Sequence, residues 1–250
     1  TGNNDYASNI QDALAAAAGK ITDPSRRSSA ILKAMNGTIA PEKLIPVLAK
    51  TGGRDALAVV LNEFESGNPS MKELCFKAIS AWPDYSASSA LYEICAAGNS
   101  NYKDQAFNGY LQQVTDAKIT DEEKYLLLRK IMPFAGSAGN KIKLLTETGK
   151  LKNYGALFFE GEYLDDPALS AAAAKAAMYI ALPSASSKAG MYGSIVKGIL
   201  TRAVPKLSGP ESEYNQEMVN KYLAAMPPDE GFVPMFNGND LAGWQGLVEN

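Results

Sequence analysis

An alanine–leucine pair at the opening of a helix-length apolar segment returns along this sequence at a nearly constant interval. Ala56-Leu57 recurs as Ala90-Leu91 after 34 residues and as Ala156-Leu157 after a further 66, which is two periods of 33. The skipped phase falls at 124–128, inside another helix-length segment. Each pair follows shortly after an apolar helix end, at Leu48, Ile79 or Leu145. Matching breaks, Ser66-Gly67-Asn68-Pro69 and Asp165-Asp166-Pro167, stand before the next helix. A fixed period holding two helices restricts the fold to stacked helix pairs, because one pair alone cannot bury its apolar face.

Helix signals run from end to end. The periodicity predicts helices over 5–18, 24–36, 41–50, 54–65, 69–81, 85–97, 102–117, 121–134, 140–148, 153–164, 167–182, 190–203 and 211–225. Asp23-Pro24 supplies an N-cap followed by proline at the first helical position, where its missing N–H costs nothing. Short turns such as Gly52-Gly53, Pro83-Asp84 and Gly98-Asn99 return the chain at once, so sequential helices are antiparallel neighbours. No strand is predicted before residue 231. The expectation is an all-α fold, an α-α superhelix of about six antiparallel pairs over residues 1–226, with a non-helical tail at 227–250.

Composition narrows the chemistry. Alanine runs at 15–18 and 171–174 favour helices that approach closely. With 24 basic and 27 acidic residues the formal charge is −3, and no basic stripe is visible, which argues against a nucleic-acid partner. Apolar stretches are interrupted well before membrane-span length. The sequence contains no histidine, so Ser-His-Asp and Cys-His catalysis and histidine-ligated zinc are excluded. Cys75 and Cys95 fall on neighbouring predicted helices, either as two buried thiols or as a disulfide. The first residue is Thr1, without an apolar signal-like segment, consistent with a processed or excised chain.

Three groups of residues carry candidate chemistry. Glu160, Glu162, Asp165 and Asp166 gather carboxylates around a helix end and could serve as a glycosidic acid–base pair, or as a solvated face with Asp166 as N-cap. Glu122-Glu123 after Thr120-Asp121 reads as acids in a first helical turn. Tyr85, Tyr92, Tyr102 and Tyr110, and separately Tyr154, Phe158, Phe159 and Tyr163, could line a groove, although their helical spacing suits packing between helices. Trp82 beside Pro83 reads as a plug between repeats. Gly190, Gly193 and Gly198 lack the preceding strand and the spacing of a phosphate loop. No residue is assigned a catalytic, cofactor or metal role.

The repeat resembles the HEAT-like, armadillo-type helical repeats. The resemblance rests on Lys77-Ala78-Ile79-Ser80-Ala81-Trp82-Pro83-Asp84, Asn108-Gly109-Tyr110-Leu111 and Leu164-Asp165-Asp166-Pro167-Ala168-Leu169 within 71–182. It implies a fold and a surface for a protein, peptide or glycan, not an activity.

After Pro227-Pro228-Asp229-Glu230 the composition changes. Phe236-Asn237-Gly238 and Asp240-Leu241-Ala242-Gly243-Trp244 resemble the opening of the 3-keto-disaccharide hydrolase family, with Met235 in place of the common leucine. That resemblance implies a concanavalin-like β-sandwich of which only the first residues fall within this sequence. It implies catalytic residues beyond Asn250, a larger carbohydrate-active hydrolase with this chain as its front module, and an exported, periplasmic location. The functional expectation is a non-catalytic interaction or scaffold module; the alternative is that the helices bind the hydrolase's substrate directly.

Overall fold

A computed structural model describes residues 2–98, 101–185, 188–227 and 240. Its described residues form helices and turns, with no strand. The chain is all-α, and within each of its units the helices pack against one another, as the repeat predicts. The sandwich-like stretch at 231–250 lies outside the described residues apart from Asp240.

The chain divides into two compact units, Thr1–Glu147 and Thr148–Asn250. The first holds α1 (Gly2–Gly19), α2 (Pro24–Arg27), α3 (Ser29–Met35), α4 (Ile45–Thr51), α5 (Arg54–Ser66), α6 (Pro69–Ser80), α7 (Ser88–Ala96), α8 (Lys103–Asp116), α9 (Asp121–Ile131) and α10 (Ala138–Thr148), whose last residue belongs to the second unit. Here α5 packs on α6 and α7 on α8, while α6 also touches α4 before it and α8 after it. The second unit holds α11 (Tyr154–Glu162), α12 (Ser170–Ala181), α13 (Ser194–Ala203) and α14 (Ser212–Ala225). In it α11 packs on α12 and α13, α12 on α13, and α13 on α14.

The alanine–leucine anchors occupy one structural position. Ala56, Ala90 and Ala156 are each the third residue of their helix and Leu57, Leu91 and Leu157 the fourth; Ala56, Leu91, Ala156 and Leu157 are wholly buried. The skipped phase is also explained. Glu123 is the third residue of α9, and its carboxylate accepts from Thr120 N at 3.0 Å while Thr120 Oγ1 accepts from Glu123 N at 3.2 Å. A reciprocal capping box replaces the alanine there. Hydrogen bonds between helices repeat the period as well. Gln113 reaches Ile79 over 34 residues, Lys143 reaches Asn108 over 35, and Asn140 reaches Asp104 over 36.

Glycines mark where helices approach closely. A Cβ on Gly109 would stand 3.3 Å from Leu91 Cδ1, and one on Gly161 3.2 Å from Ile199 Cγ1. Gly52 adopts φ +67, favourable for glycine, and a Cβ there would lie 2.8 Å from Pro83 Cγ. The turn after α4 therefore stacks directly on the turn after α6.

Several predicted boundaries shift for local reasons. Proline divides two predicted helices into a 3-10 turn and an α-helix: Pro41–Leu44 before α4, and Met132–Phe134 after α9. Pro46 and Pro133 have no N–H with which to continue the α ladder. The helix predicted from 190 begins at Ser194, because Gly193 at φ +114 caps it and Gly190 is packed beneath Tyr222 and Pro183. The one predicted from 167 begins at Ser170, after a turn in which Asp166 Oδ1 accepts from Ala168 N at 2.8 Å.

Candidate functional site

In the first unit a cavity of about 500 Å³ opens where α6 ends and α8 ends beside it. Its size lies within the range of about 300–1,000 Å³ of small-molecule sites. One wall is the run Ser80-Ala81-Trp82-Pro83-Asp84-Tyr85; the other is Gln112, Gln113, Asp116, Ala117 and Lys118. The sequence builds the first wall by stopping a helix. Ala81 caps α6, Trp82 N donates to Ile79 O at 3.3 Å, and Pro83 cannot extend the ladder. Asp84 Oδ1 then accepts from Ser86 N at 2.8 Å and opens the 3-10 turn Tyr85–Ala87.

The second wall is tied to the first by one side chain. Gln113 Nε2 donates to Ile79 O at 2.8 Å, satisfying a carbonyl at the C-terminal end of α6. Since that oxygen can only accept, the amide nitrogen must face it, and Gln113 Oε1 is left over. Among the described residues, four buried side-chain oxygen or nitrogen atoms find no hydrogen-bond partner: Ser80 Oγ, Trp82 Nε1, Gln113 Oε1 and Glu160 Oε2. Three of these four belong to residues that line this single cavity. Trp82 is 4% exposed and Gln113 6%. Leaving such a group unsatisfied costs about 1–3 kcal/mol, and all three atoms are sealed from solvent beside the cavity.

The rim is acidic and aromatic. Asp84 and Asp116 face one basic residue, Lys118, and Gln112 Nε2 donates to Asp116 Oδ2 at 2.6 Å. Tyr85 is 43% exposed. Trp82 has the burial of the packing plug its place beside Pro83 predicts, and the cavity lies alongside it. Ser80 and Gln113 are not among the candidates the sequence pattern offers. One signal existed: Gln113 shares a buried face of α8 with Ala106 and Tyr110, at helical spacing, where a glutamine is out of character.

The other candidates disperse. Tyr110 is buried with its hydroxyl donating to Leu127 O at 2.9 Å, and burial raises its pKa. Tyr102 lies 4.5 Å from Phe76 between ring centroids, and Lys130 sits 4.0 Å over the Tyr92 ring. Tyr154–Phe158 and Phe159–Tyr163 pair along α11 at 6.1 and 5.1 Å. Of the first aromatic group, Tyr85 is the one at the cavity.

The carboxylates of the second unit separate into different tasks. Glu160 is 0% exposed; its Oε1 accepts from Thr148 Oγ1, and its Oε2 has no partner. Burial pushes its pKa up to about 9, against the smaller downward pull of Thr148, so it is a neutral acid at pH 7. Asp165 accepts from Arg202 at 2.6 Å and pairs with Lys206 at 3.4 Å, which hold its carboxyl below the usual range. Asp166 is spent on its turn, and Glu162 is exposed.

Cys75 and Cys95 stand as two free, buried thiols rather than a disulfide, and burial pushes both up to about 11. Among the described residues no three His, Cys, Asp or Glu side chains gather where they could hold a metal ion. No helix among them is long and apolar enough to cross a membrane. The second unit also carries an apolar groove of about 560 Å³, lined by Met178, Tyr179, Leu182 and Pro183 opposite Met218 and Tyr222. No family model matches the chain, and no curated protein or solved structure matches it either.

Proposed function

We propose that this chain is a non-catalytic helical-repeat interaction module. The observation that carries the reading is the cavity between the ends of α6 and α8, lined by the charged, polar and aromatic side chains of Asp84, Tyr85, Gln112, Asp116 and Lys118. Charged and aromatic groups gathered at one opening suit recognition, since they offer a partner both hydrogen bonds and a flat apolar face. Structural engagement of the acids supports the same reading: Glu160 is neutral, Asp165 is held by Arg202 and Lys206, and Asp166 closes a turn. The resemblance of 231–250 to the 3-keto-disaccharide hydrolases supports placing the module at the front of a larger, exported carbohydrate-active hydrolase.

The purified chain should bind without turnover when incubated with a broad panel of glycosides and followed by product chromatography. Turnover that disappears in Glu160→Gln or Glu162→Gln would overturn the reading. The second reading, in which the helices bind the hydrolase's own substrate, is favoured by the same cavity. It fails if removing residues 1–226 from that hydrolase leaves its activity and substrate choice unchanged.

A further inference from the structure

We propose that the apolar groove between α12 and α14 is a binding site for an anionic amphiphile, a fatty-acid-like chain that ends in a carboxylate. The inference goes beyond the interaction-module reading, because the groove lies in the second unit and differs in chemistry from the polar cavity of the first. Met178, itself buried, forms the floor, and Tyr179, Leu182, Pro183, Met218 and Tyr222 supply the walls that a ligand can touch. About 560 Å³ of space lies between them, within the size range of small-molecule sites.

The walls select against a ligand that is polar along its length. The Tyr222 hydroxyl is already engaged, donating to Met191 O at 2.6 Å. Ser184, Lys221 and the hydroxyl of Tyr179 are the other polar side-chain groups of the lining. An extended peptide or a sugar pressed onto these walls would lose the hydration of more polar groups than the groove can pair. A methylene chain brings none, and the unbranched side chain of Met218 adapts to its shape.

Charge selects the other end of the ligand. Lys221 lines the groove and no acid does. Lys175 Nζ stands 5.8 Å from the centre of the Tyr179 ring, and the Lys152 ammonium rests on the carbonyls of Tyr179 and Leu182. Three lysines therefore attend the residues of the two walls. Lys221 pairs with Glu217 at 2.6 Å, with both side chains well exposed. Exposed pairs of this kind hold weakly, so the ammonium can exchange that partner for a ligand carboxylate.

Met218 serves as the reporter, one of eight methionines in the chain. The test labels the methionine methyl groups of the whole chain with carbon-13 and follows them by NMR. The probes are sodium decanoate, decanol and decyltrimethylammonium bromide, each kept below its micelle concentration. Met218→Leu assigns the signal, and Met132, buried in the first unit, is the control. Decanoate should shift Met218 saturably, leave Met132 in place and bind at least 10-fold more tightly than decyltrimethylammonium. Lys221→Gln should weaken decanoate roughly 3- to 10-fold with decanol unchanged, and Tyr179→Ala should weaken both with the helical circular dichroism unchanged.

The absence of a saturable shift at Met218 overturns the proposal, as does equal affinity for decanoate and the cation. A shift shared by all the methyl groups marks general detergent action and overturns it too. Without any amphiphile, a Met218 signal that moves with protein concentration gives the groove to a second copy of the chain. One that moves in Phe232→Ala gives it to the chain's own continuation. Either result removes the fatty-acid assignment and leaves the interaction-module reading, which is tested separately, where it stood.

Discussion

At Glu160, burial and one threonine hydroxyl set the charge. Its folded pKa is about 9 against an ordinary value of 4.5. Between those values the unfolded chain releases a proton that the folded chain retains, so stability falls as pH rises, by up to about 1.4 kcal/mol per pH unit. Below pH 4.5 the effect is absent, and above about 9 it is complete. Glu160→Gln keeps a hydrogen-bonding group there and removes the titration. Urea unfolding at pH 5.5, 7.0 and 8.5 should show the variant gaining on the wild type as pH rises; parallel profiles would refute this account. The sequence showed Glu160 only as one of four nearby acids. What separates it from Glu162 is that α11 turns one inward and the other outward, and that orientation depends on which neighbours the helix meets. Lys152 teaches the same lesson: its ammonium donates to Tyr179 O, to Leu182 O at 3.0 Å and to Ile180 O at 3.4 Å, closing the end of α12 from another turn of chain. Desolvation there lowers its pKa.

Helices were the most legible level, because apolar spacing, caps and turns all act locally. Asn68 and Asn153 cap α6 and α11 by accepting from Met71 N at 3.0 Å and Ala156 N at 2.8 Å, and Thr120 caps α9 with the reciprocal help of Glu123. The acids at 122–123 lie in the first turn of α9, as their place after Thr120-Asp121 predicts. Thr120→Ala removes the acceptor for Glu123 N and should lower stability by about 1 kcal/mol, read as a shift in the denaturant midpoint with an unchanged slope. An unchanged midpoint would mean that the cap is redundant. The element ends that sequence misplaced are those fixed by partners distant in the chain. Gly190 sits outside α13 because Tyr222, whose hydroxyl donates to Met191 O at 2.6 Å, occupies the space a side chain would need. The cavity belongs to the same category, since its two walls lie on helices whose contact the local pattern does not specify.

Across the molecule, burial is unevenly spread. Of the residues from 6 to 44 whose burial is described, Ala18, Ser28 and Ile31 are buried, whereas α5 through α8 hold Phe76, Ile79, Leu91, Phe107 and Tyr110 almost wholly out of water. Along α1, Tyr6, Ile10 and Leu14 stay exposed at a spacing of four residues. Native-state hydrogen exchange should therefore find α1 and α3 opening at least tenfold more readily than α6 and α8, a gap of about 1.4 kcal/mol. Equal protection throughout would show that the first unit opens as a single block. The repeat was legible at this scale because period and stacking are the same fact seen twice. The polar atoms left over between repeats were not, because satisfaction is a property of the assembled neighbours.

The bond from Gln113 to Ile79 O also bears on how such a chain can change its length. A deletion of one residue between them would rotate α8 by about 100° against α6 and carry the amide off its carbonyl. Duplication of a complete helix pair would instead recreate the donor, the acceptor and the hollow beside them at each new junction. Growth by unequal crossing-over is therefore quantised in steps of about 33 residues. Every successful step would copy a potential binding pocket together with the helices that enclose it.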